Sequence, residues 1–415
     1  MGENEEMNNS TKGIQKAILF WLSGVRLADI RALPEVSALL NHGAMVELDV
    51  SPITGLQNQH YQVLSGREPS SFGYFDTIVP REYAILEETT GRGGIPKLLP
   101  EILGTAGWMI DYAEIQPAEL VNYVERWTQS SSSLPSCIIV KCTLEVTSSL
   151  ATLSKALRIA KEWVGEMGLL AVLSDTHAAD VKRFVNVNNF LAEIGVIERD
   201  EGSGKIQWSN SLAYFAGHGQ LWINLLGRDA QGIVNPQEEY EQVRATLIKL
   251  LPAKFFDPET GEPIIEKVYR KEEIYAADYL FCAPDLVVLF KPGFAPSQRS
   301  TRIDFDETTI TTPEPGTTAT DGMHPSQLGG FLLASAPVFA QGVALAERAS
   351  LTSVYPTFLH ALGVELADLE TPAISTLFHP AYLETHPIRS AMDSQELSDE
   401  DEELIISRLR DLGYV

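Results

Sequence analysis

The sequence has few cysteines and few basic residues, and each of these features excludes certain classes of function. Its three cysteines, Cys137, Cys142 and Cys282, include no pair with the spacing of a zinc cage, and their odd number argues against a secreted disulfide scaffold. Lys and Arg number 31 against 56 Asp and Glu, which gives a formal net charge of −25. Such a surface repels phosphate backbones and anionic lipids, so we expect no nucleic-acid partner and no membrane partner.

Long apolar runs are also missing. No stretch reaches the roughly 18 residues that a membrane-spanning helix needs, and residues 1–13 are polar and acidic, unlike a signal peptide. We therefore expect a cytoplasmic protein whose residues 1–13 form a disordered tail. Hydrophobic residues still make up 44% of the 415-residue chain, which is enough for a large core.

Apolar runs alternate with helix-like segments along most of the chain. Residues 16–22 and 168–175 are nearly all apolar, as in parallel strands covered on both faces, whereas residues 149–167 have helical spacing. This alternation predicts an α/β fold with a doubly wound, mostly parallel sheet and helices on both faces. Residues 33–43 have helical spacing and stop at Gly43, which is suited to a C-terminal helix cap, and residues 57–66 look like a short helix that ends at Gly66.

Composition predicts how the chain is divided. Residues 14–390 are expected to form the α/β domain, and residues 391–415 an acidic C-terminal helix. A small inserted cap region is expected at about 200–280, where residues 257–275 are polar and punctuated by Pro and Gly like a surface hairpin. The Thr/Pro/Gly-rich loop 308–325 is too long to lack a purpose in a compact domain.

Polar residues lie just past several of the predicted strands. Ser23, Thr54, Thr143 and Asp175 all occupy such positions. In an open parallel sheet, ligands bind beyond the carboxyl ends of the strands. We therefore predict that these four residues cluster at one edge of the sheet.

Several motifs together resemble the alkaline phosphatase superfamily, in particular its type I phosphodiesterase/nucleotide pyrophosphatase-like branch. "SPITGLQNQHYQVLSGREP" (51–69) resembles the nucleophile segment, and "DGMHPSQLGGFLLASAPVF" (321–339) resembles the closing metal-histidine loop. "NVNNFLAEIGVIE" (186–198) and "APDLVVLFKPGF" (283–294) resemble the predicted phosphohydrolase/phosphomutase subgroup. The similarity covers roughly residues 16–380 and implies an alkaline-phosphatase-like fold.

The resemblance also implies a site chemistry. The family's enzymes hold two divalent ions, usually zinc, beside a Thr or Ser nucleophile. Thr54 matches the nucleophile, and Asp175 and His324 keep a ligand type at two of six metal positions. The other four positions carry hydroxyls: Ser23, Thr143, Thr147 and Thr176. Hydroxyls are poor zinc ligands, so the resemblance implies that the two-metal centre is lost and that no cofactor is needed. The alternative is zinc at a degenerate site, with His177 or Glu145 as a replacement ligand.

Three functions stay open at this point. The first is a repurposed, metal-independent enzyme that acts on a polar or phosphorylated small molecule, with Thr54, Asp175 and His324 as catalytic residues. Its predicted substrate contacts are Ser23, Asn58, Thr143, Thr147, Thr176 and His177. The second is a catalytically inactive binding or scaffold protein, and the third is a metal-dependent phosphodiesterase with unusual ligands. His60 and His218 are further candidates to face the pocket.

Overall fold

A computed structural model of the chain describes residues 13–49, 56–76, 78–81, 83–87, 92–129, 133–144, 146–200, 202–275, 277–297, 308–319, 322–364 and 369–388. Residues 1–12, Thr54, Glu145 and the predicted C-terminal helix lie outside these ranges, as do the side chains of Asn58 and Thr147. The predictions that concern them stay predictions.

The largest sheet in the described residues has eight strands. They are β1 (Lys16–Ser23), β2 (Ala44–Asp49), β5 (Met109–Glu114), β6 (Ser136–Thr143), β7 (Leu169–Ser174), β17 (Gly330–Ser335), β18 (Val343–Ala344) and β19 (Ala349–Ser350). Their order is β18-β2-β17-β7-β1-β6-β5, and β19 also pairs with β2. Only β17 runs antiparallel to its neighbours, so the predicted α/β class with a large, mostly parallel sheet is confirmed.

Helices cover both faces of this sheet because its strands are apolar on both sides. Leu19 and Trp21 of β1 belong to one core, whereas Phe20 and Leu22 belong to the core on the opposite face. The helices on the Trp21 face are α3 (Leu56–Ser65), α4 (Leu99–Thr105) and α10 (Val354–Ala361). Those on the Phe20 face are α2 (Pro34–His42), α5 (Leu120–Thr128) and α6 (Val146–Val164). The short helix α1 (Leu27–Ile30) also packs on the Phe20 face, and α11 (Pro380–Thr385) packs on the Trp21 face.

Both predicted helix ends at glycine are confirmed. Gly66 follows α3 with φ of +65°, a left-handed conformation that favours glycine. Gly43 caps α2, since its backbone N–H donates to the carbonyl oxygen of Leu39, but it does so in an extended conformation with φ of −121°. Space is the reason for glycine there, since a Cβ at Gly43 would lie 2.5 Å from the carbonyl oxygen of Ala334.

A second, antiparallel sheet lies between β7 and β17 along the chain. Its strands are β10 (Ala213–Ala216), β11 (Gln220–Ile223), β12 (Ile265–Arg270) and β13 (Leu286–Phe290), in the order β10-β11-β13-β12. Helices α7 (Val187–Glu193) and α8 (Glu238–Lys254) share its core, which extends from Val185 to Phe294. The polar segment 257–275 is therefore more than a surface hairpin, because it contains β12, whose Val268 is buried in this core.

Short elements complete the described structure. They are β3 (Ile78–Arg81), β4 (Ala84–Glu87), β8 (Ala179–Asp180), β9 (Arg183–Val185), β14 (Phe294–Pro296), β15 (Ile310–Thr311), β16 (Thr318–Ala319) and the helical turn α9 (Lys271–Ile274). β15 pairs with β9 and β16 pairs with β8, so the Thr/Pro/Gly-rich loop is held against the segment that follows β7. Within the described ranges, no helix combines the length and the apolar character needed to cross a membrane.

Candidate functional site

Three of the predicted site residues lie together at the carboxyl edge of the parallel sheet. Ser23 and Thr143 are register partners at the ends of β1 and β6. Asp175 directly follows β7, and the Ser23 hydroxyl donates a hydrogen bond to Asp175 Oδ2 at 3.2 Å. The structure thus brings Ser23, Thr143 and Asp175 to one edge, as the strand-end pattern predicts, whereas Thr54 lies outside the described residues.

Asp175 is a buried carboxyl group surrounded mainly by neutral donors. It is 2% exposed, and its Oδ1 accepts a hydrogen bond from the Thr176 backbone N–H at 2.9 Å. Burial raises the pKa of Asp175, and the opposing influence of the Trp21 indole, Lys141 and Ser23 does not cancel this increase. The Trp21 N–H lies near Asp175 yet has no hydrogen-bond partner of normal geometry. Asp175 therefore binds a proton more tightly than an exposed aspartate does, which suits an acid–base group.

Lys141 is the cation of the site. It is the register partner of Trp21 on β1 and of Glu114 on β5, so the three side chains lie side by side. Lys141 Nζ is 3.3 Å from Glu114 Oε2 and 5.0 Å from the centre of the Trp21 ring, and its side chain is only 15% exposed. Sequence reasoning missed this residue, although a lone lysine within an apolar strand is a signal that it faces a polar site.

Two further side chains border Asp175 on the same face. The Tyr112 hydroxyl is buried without a hydrogen-bond partner, and burial raises the pKa of Tyr112, as do the nearby Glu114 and Asp175 charges. His60 of α3 stacks on Trp21 with ring centres 5.5 Å apart. Burial, aided by the charge of Lys141, lowers the pKa of His60 to about 4, so its imidazole is neutral at pH 7. We call Ser23, Trp21, His60, Tyr112, Glu114, Lys141 and Asp175 the Asp175 cluster.

The donor set of the Asp175 cluster does not suit a zinc ion. The oxygens of Asp175 already accept hydrogen bonds from Ser23 and Thr176, and Lys141 places a positive charge nearby. Across the described ranges, no three His, Cys, Asp or Glu side chains converge as metal ligands would. Thr54, Glu145 and the Thr147 side chain lie outside those ranges, so the loss of the two-metal centre stays a prediction.

Thr176 and His177 form hydrogen bonds to backbone groups. Thr176 is fully buried, and its hydroxyl donates to the carbonyl oxygen of His177 at 3.4 Å. His177 Nδ1 lies 2.9 Å from the carbonyl oxygen of Gly329, and burial lowers the pKa of His177. Their predicted roles as substrate contacts therefore receive no support from these bonds and stay predictions.

His324 makes its described contacts with the second sheet. Its Nε2 lies 3.4 Å from Glu266 Oε2 on β12, and its Nδ1 lies 2.6 Å from the Ser326 hydroxyl. Because Thr54 is not described, the predicted pocket shared by Thr54 and His324 is not tested. These contacts nevertheless join the closing loop to the antiparallel sheet.

His218 connects the antiparallel sheet to the parallel-sheet domain. Its Nδ1 lies 3.0 Å from both carboxylate oxygens of Asp76, and Gln220 Nε2 donates to Asp76 Oδ2 at 2.7 Å. Asp76 is 2% exposed. His218 was a candidate to approach the site, and the contact with buried Asp76 instead indicates that it anchors the turn between β10 and β11.

Comparison with known proteins adds no family assignment. No protein-family model matches the chain, and no curated protein matches it either. The likeness to the alkaline phosphatase superfamily thus rests on the motifs of the sequence.

Proposed function

We propose that the protein is a metal-independent enzyme of alkaline-phosphatase-like fold that acts on a polar or phosphorylated small molecule at the Asp175 cluster. One observation carries the proposal: a buried carboxyl group with a raised pKa lies beside a serine hydroxyl and within the influence of a lysine. Strongly perturbed carboxyl groups at the carboxyl edge of a parallel sheet are typical of functional sites. A small-molecule partner and a cytoplasmic location are part of this proposal, and the acidic composition supports the absence of a nucleic-acid partner.

In this proposal Asp175 is the proton acceptor. The Ser23 hydroxyl already points its proton at Asp175 Oδ2, so that proton, or one from a substrate hydroxyl in its place, passes to the carboxylate. The hydroxyl oxygen that loses the proton becomes the nucleophile, since a serine or a substrate alcohol is weak without a neighbouring base. Thr54 is proposed to position the ligand or to act as a weak nucleophile, and His324 to act with Asp175 in proton transfer.

Lys141 would bind the anionic part of the substrate. Its partner Glu114 is 59% exposed on an edge strand, so a substrate oxyanion can replace the Glu114 carboxylate beside Lys141 without a change in the sheet. A single cation held beside Trp21 attracts an anion locally, even though the protein as a whole carries a charge of −25.

The test is turnover of a nitrophenyl phosphodiester in excess EDTA by the parent, Asp175→Asn and Lys141→Met. We expect Asp175→Asn to lower kcat by roughly 10²–10⁴-fold, as for loss of an acid–base partner, and Lys141→Met mainly to raise KM. Asp180→Asn, an exposed carboxylate five residues further along, is the matched control. Activity that EDTA abolishes and zinc restores would favour the metal-dependent hydrolase, and normal turnover by Asp175→Asn would remove Asp175 from the mechanism.

A binding protein without catalysis is the second candidate, and one observation favours it. Trp21, Asp175 and Ser23 are 0%, 2% and 8% exposed, which is a closed arrangement for residues that must touch a substrate. Calorimetry with inorganic phosphate separates the two. Binding that Lys141→Met weakens, in a protein that turns over no phosphoester, would identify a binding site in place of an enzyme.

A further inference from the structure

A separate cavity lies beyond the C-terminal end of α3. Its volume is about 480 Å³, within the range of roughly 300–1,000 Å³ that is usual for small-molecule sites. Ser65 and Gly66 of the α3 terminus line it, together with residues from the segments around positions 71, 95, 279 and 355. None of its lining residues belongs to the Asp175 cluster, so the cavity is a different site from the proposed active site.

Aromatic and aliphatic side chains form the walls of this cavity. Phe72 and Tyr355 are buried there, whereas Ile95 is 55% exposed at the surface. Tyr279 lies directly on Gly73, where a Cβ would be 2.9 Å from the ring, and Gly73 has a left-handed φ of +79°. The chain therefore leaves space for this aromatic ring, and the walls suit a flat apolar group.

The polar groups of the cavity are mainly donors that lack partners. Lys97 is exposed and forms no ion pair with any described residue. The hydroxyls of Tyr279 and Tyr355 likewise have no hydrogen-bond partner among the described residues. Burial raises the pKa of Tyr355 to about 12, so its hydroxyl keeps its proton at neutral pH. Ser71 also lines the cavity, and its buried Oγ has no partner.

The one carboxylate of the lining is already engaged. Glu370 Oε1 lies 3.4 Å from Arg67 Nη1, and its Oε2 accepts a hydrogen bond from the Glu68 backbone N–H at 3.0 Å. Glu370 is therefore occupied by other donors and does not neutralise Lys97. Ser71 Oγ is a buried donor without an acceptor, which is costly, so a ligand that fills this cavity should supply acceptor oxygens.

We propose that the cavity binds a small organic anion that carries an apolar ring. The ring lies between Tyr279, Tyr355 and Ile95, and the oxyanion accepts hydrogen bonds from Lys97 and the Ser71 hydroxyl. Carboxylate, sulfonate and phosphate share this chemistry, and the site is independent of any activity at the Asp175 cluster.

The test uses 8-anilinonaphthalene-1-sulfonate, an aromatic sulfonate whose fluorescence rises in apolar sites, titrated into the full chain. Lys97→Glu reverses the charge at an exposed position and should weaken binding at least about tenfold, the effect of 1.4 kcal/mol of lost attraction. Tyr279→Leu, which removes the ring, should weaken it as well. Lys249→Glu makes the same charge reversal at an exposed position of α8 and should leave the affinity unchanged.

The outcomes separate clearly. One saturable site that is weakened by Lys97→Glu but not by Lys249→Glu supports the proposal, and displacement of the dye by salicylate adds the carboxylate to its ligands. Fluorescence that is equal in parent and Lys97→Glu places the dye elsewhere and overturns the proposal, as does the absence of binding. Circular dichroism verifies that each variant folds. If Tyr279→Leu does not fold, Lys97→Glu still tests the proposal, because Lys97 lies on an exposed loop.

Discussion

Two buried aspartates, one in each sheet region, are held in opposite ways. Asp285 precedes β13 of the antiparallel sheet and is 0% exposed. Arg228 donates to both of its oxygens at 3.0 and 2.9 Å, and the Tyr240 hydroxyl and the Ile223 N–H also donate to it. Asp175, at the edge of the parallel sheet, has a serine hydroxyl and one backbone N–H as its hydrogen-bond donors.

The difference separates a carboxyl group that is paired with a guanidinium from one whose hydrogen-bond donors are neutral. Burial alone would lower the pKa of Arg228, but the charges of Asp285 and Asp229 outweigh it and raise that pKa, so the Arg228 guanidinium stays charged. At Asp175 burial outweighs its donors, and the pKa of the carboxyl group is raised. A guanidinium placed beside a carboxylate thus stabilises its charge, whereas neutral donors leave its protonation sensitive to the surroundings.

The largest expected effect on stability comes from removing the ion pair between Arg228 and Asp285. Arg228→Met should lower the free energy of unfolding by up to about 3–5 kcal/mol. It removes the guanidinium that donates to both oxygens of buried Asp285 and leaves Lys271, whose Nζ lies 3.7 Å from Oδ1, as the remaining cation. Urea denaturation at pH 7 measures the loss. Arg26→Met is the matched control, since the Arg26–Asp29 pair is largely exposed and should contribute less than about 1 kcal/mol. Equal losses in both variants would mean that the two regions do not differ as described.

A smaller effect is expected from His60 and depends on pH. The unfolded chain protonates this histidine near its ordinary pKa of 6.5, whereas the folded protein does so only at about 4. Its contribution to stability is therefore complete above pH 6.5 and is lost as pH falls toward 4. His60→Gln removes this dependence, so the difference in unfolding free energy between parent and variant should change by on the order of 2–3 kcal/mol from pH 7 to pH 4.

The control for this prediction is His42→Gln, at an exposed position of α2. A parent-minus-variant difference for His60→Gln that stays constant between pH 7 and pH 4 would show that the His60 imidazole is hydrated. The Asp175 cluster would then be a more open site than its burial indicates.

The smallest expected effect is a gain in stability. The raised pKa of Asp175 means that its charged form destabilises the folded state as pH rises above its ordinary value of 3.8. Asp175→Asn removes that charge, so at pH 8 it should be more stable than the parent by about 1 kcal/mol, the usual size of such a gain. The advantage should shrink toward pH 4. A variant that is less stable than the parent at pH 8 would show that the surrounding groups stabilise the Asp175 charge.

The sequence predicted the polar residues that follow the strands of the site, but it did not predict its cation, Lys141. Ser23, Thr143 and Asp175 meet because the carboxyl ends of parallel strands share one edge, a rule that applies without knowledge of the strand order. Lys141 and Tyr112 join them only because β6 pairs with β1 and β5 pairs with β6, and no local pattern specifies which strands are neighbours. The contacts of His324 with Glu266 and of His218 with Asp76 were missed for the same reason, since each joins distant parts of the chain.

The amino-acid sequence by itself determined the α/β class, because apolar runs of strand length and helical periodicity reflect local burial. It also determined that hydroxyls stand at Ser23 and Thr143, where the resemblance expects metal ligands. Only the tertiary structure decided that Trp21, Lys141 and Glu114 form one row, and that Asp175 is buried with neutral donors while Asp285 receives an arginine. The pKa of a carboxyl group depends on charges and solvent exposure within a few ångströms, and these distances exist only after the strands have paired.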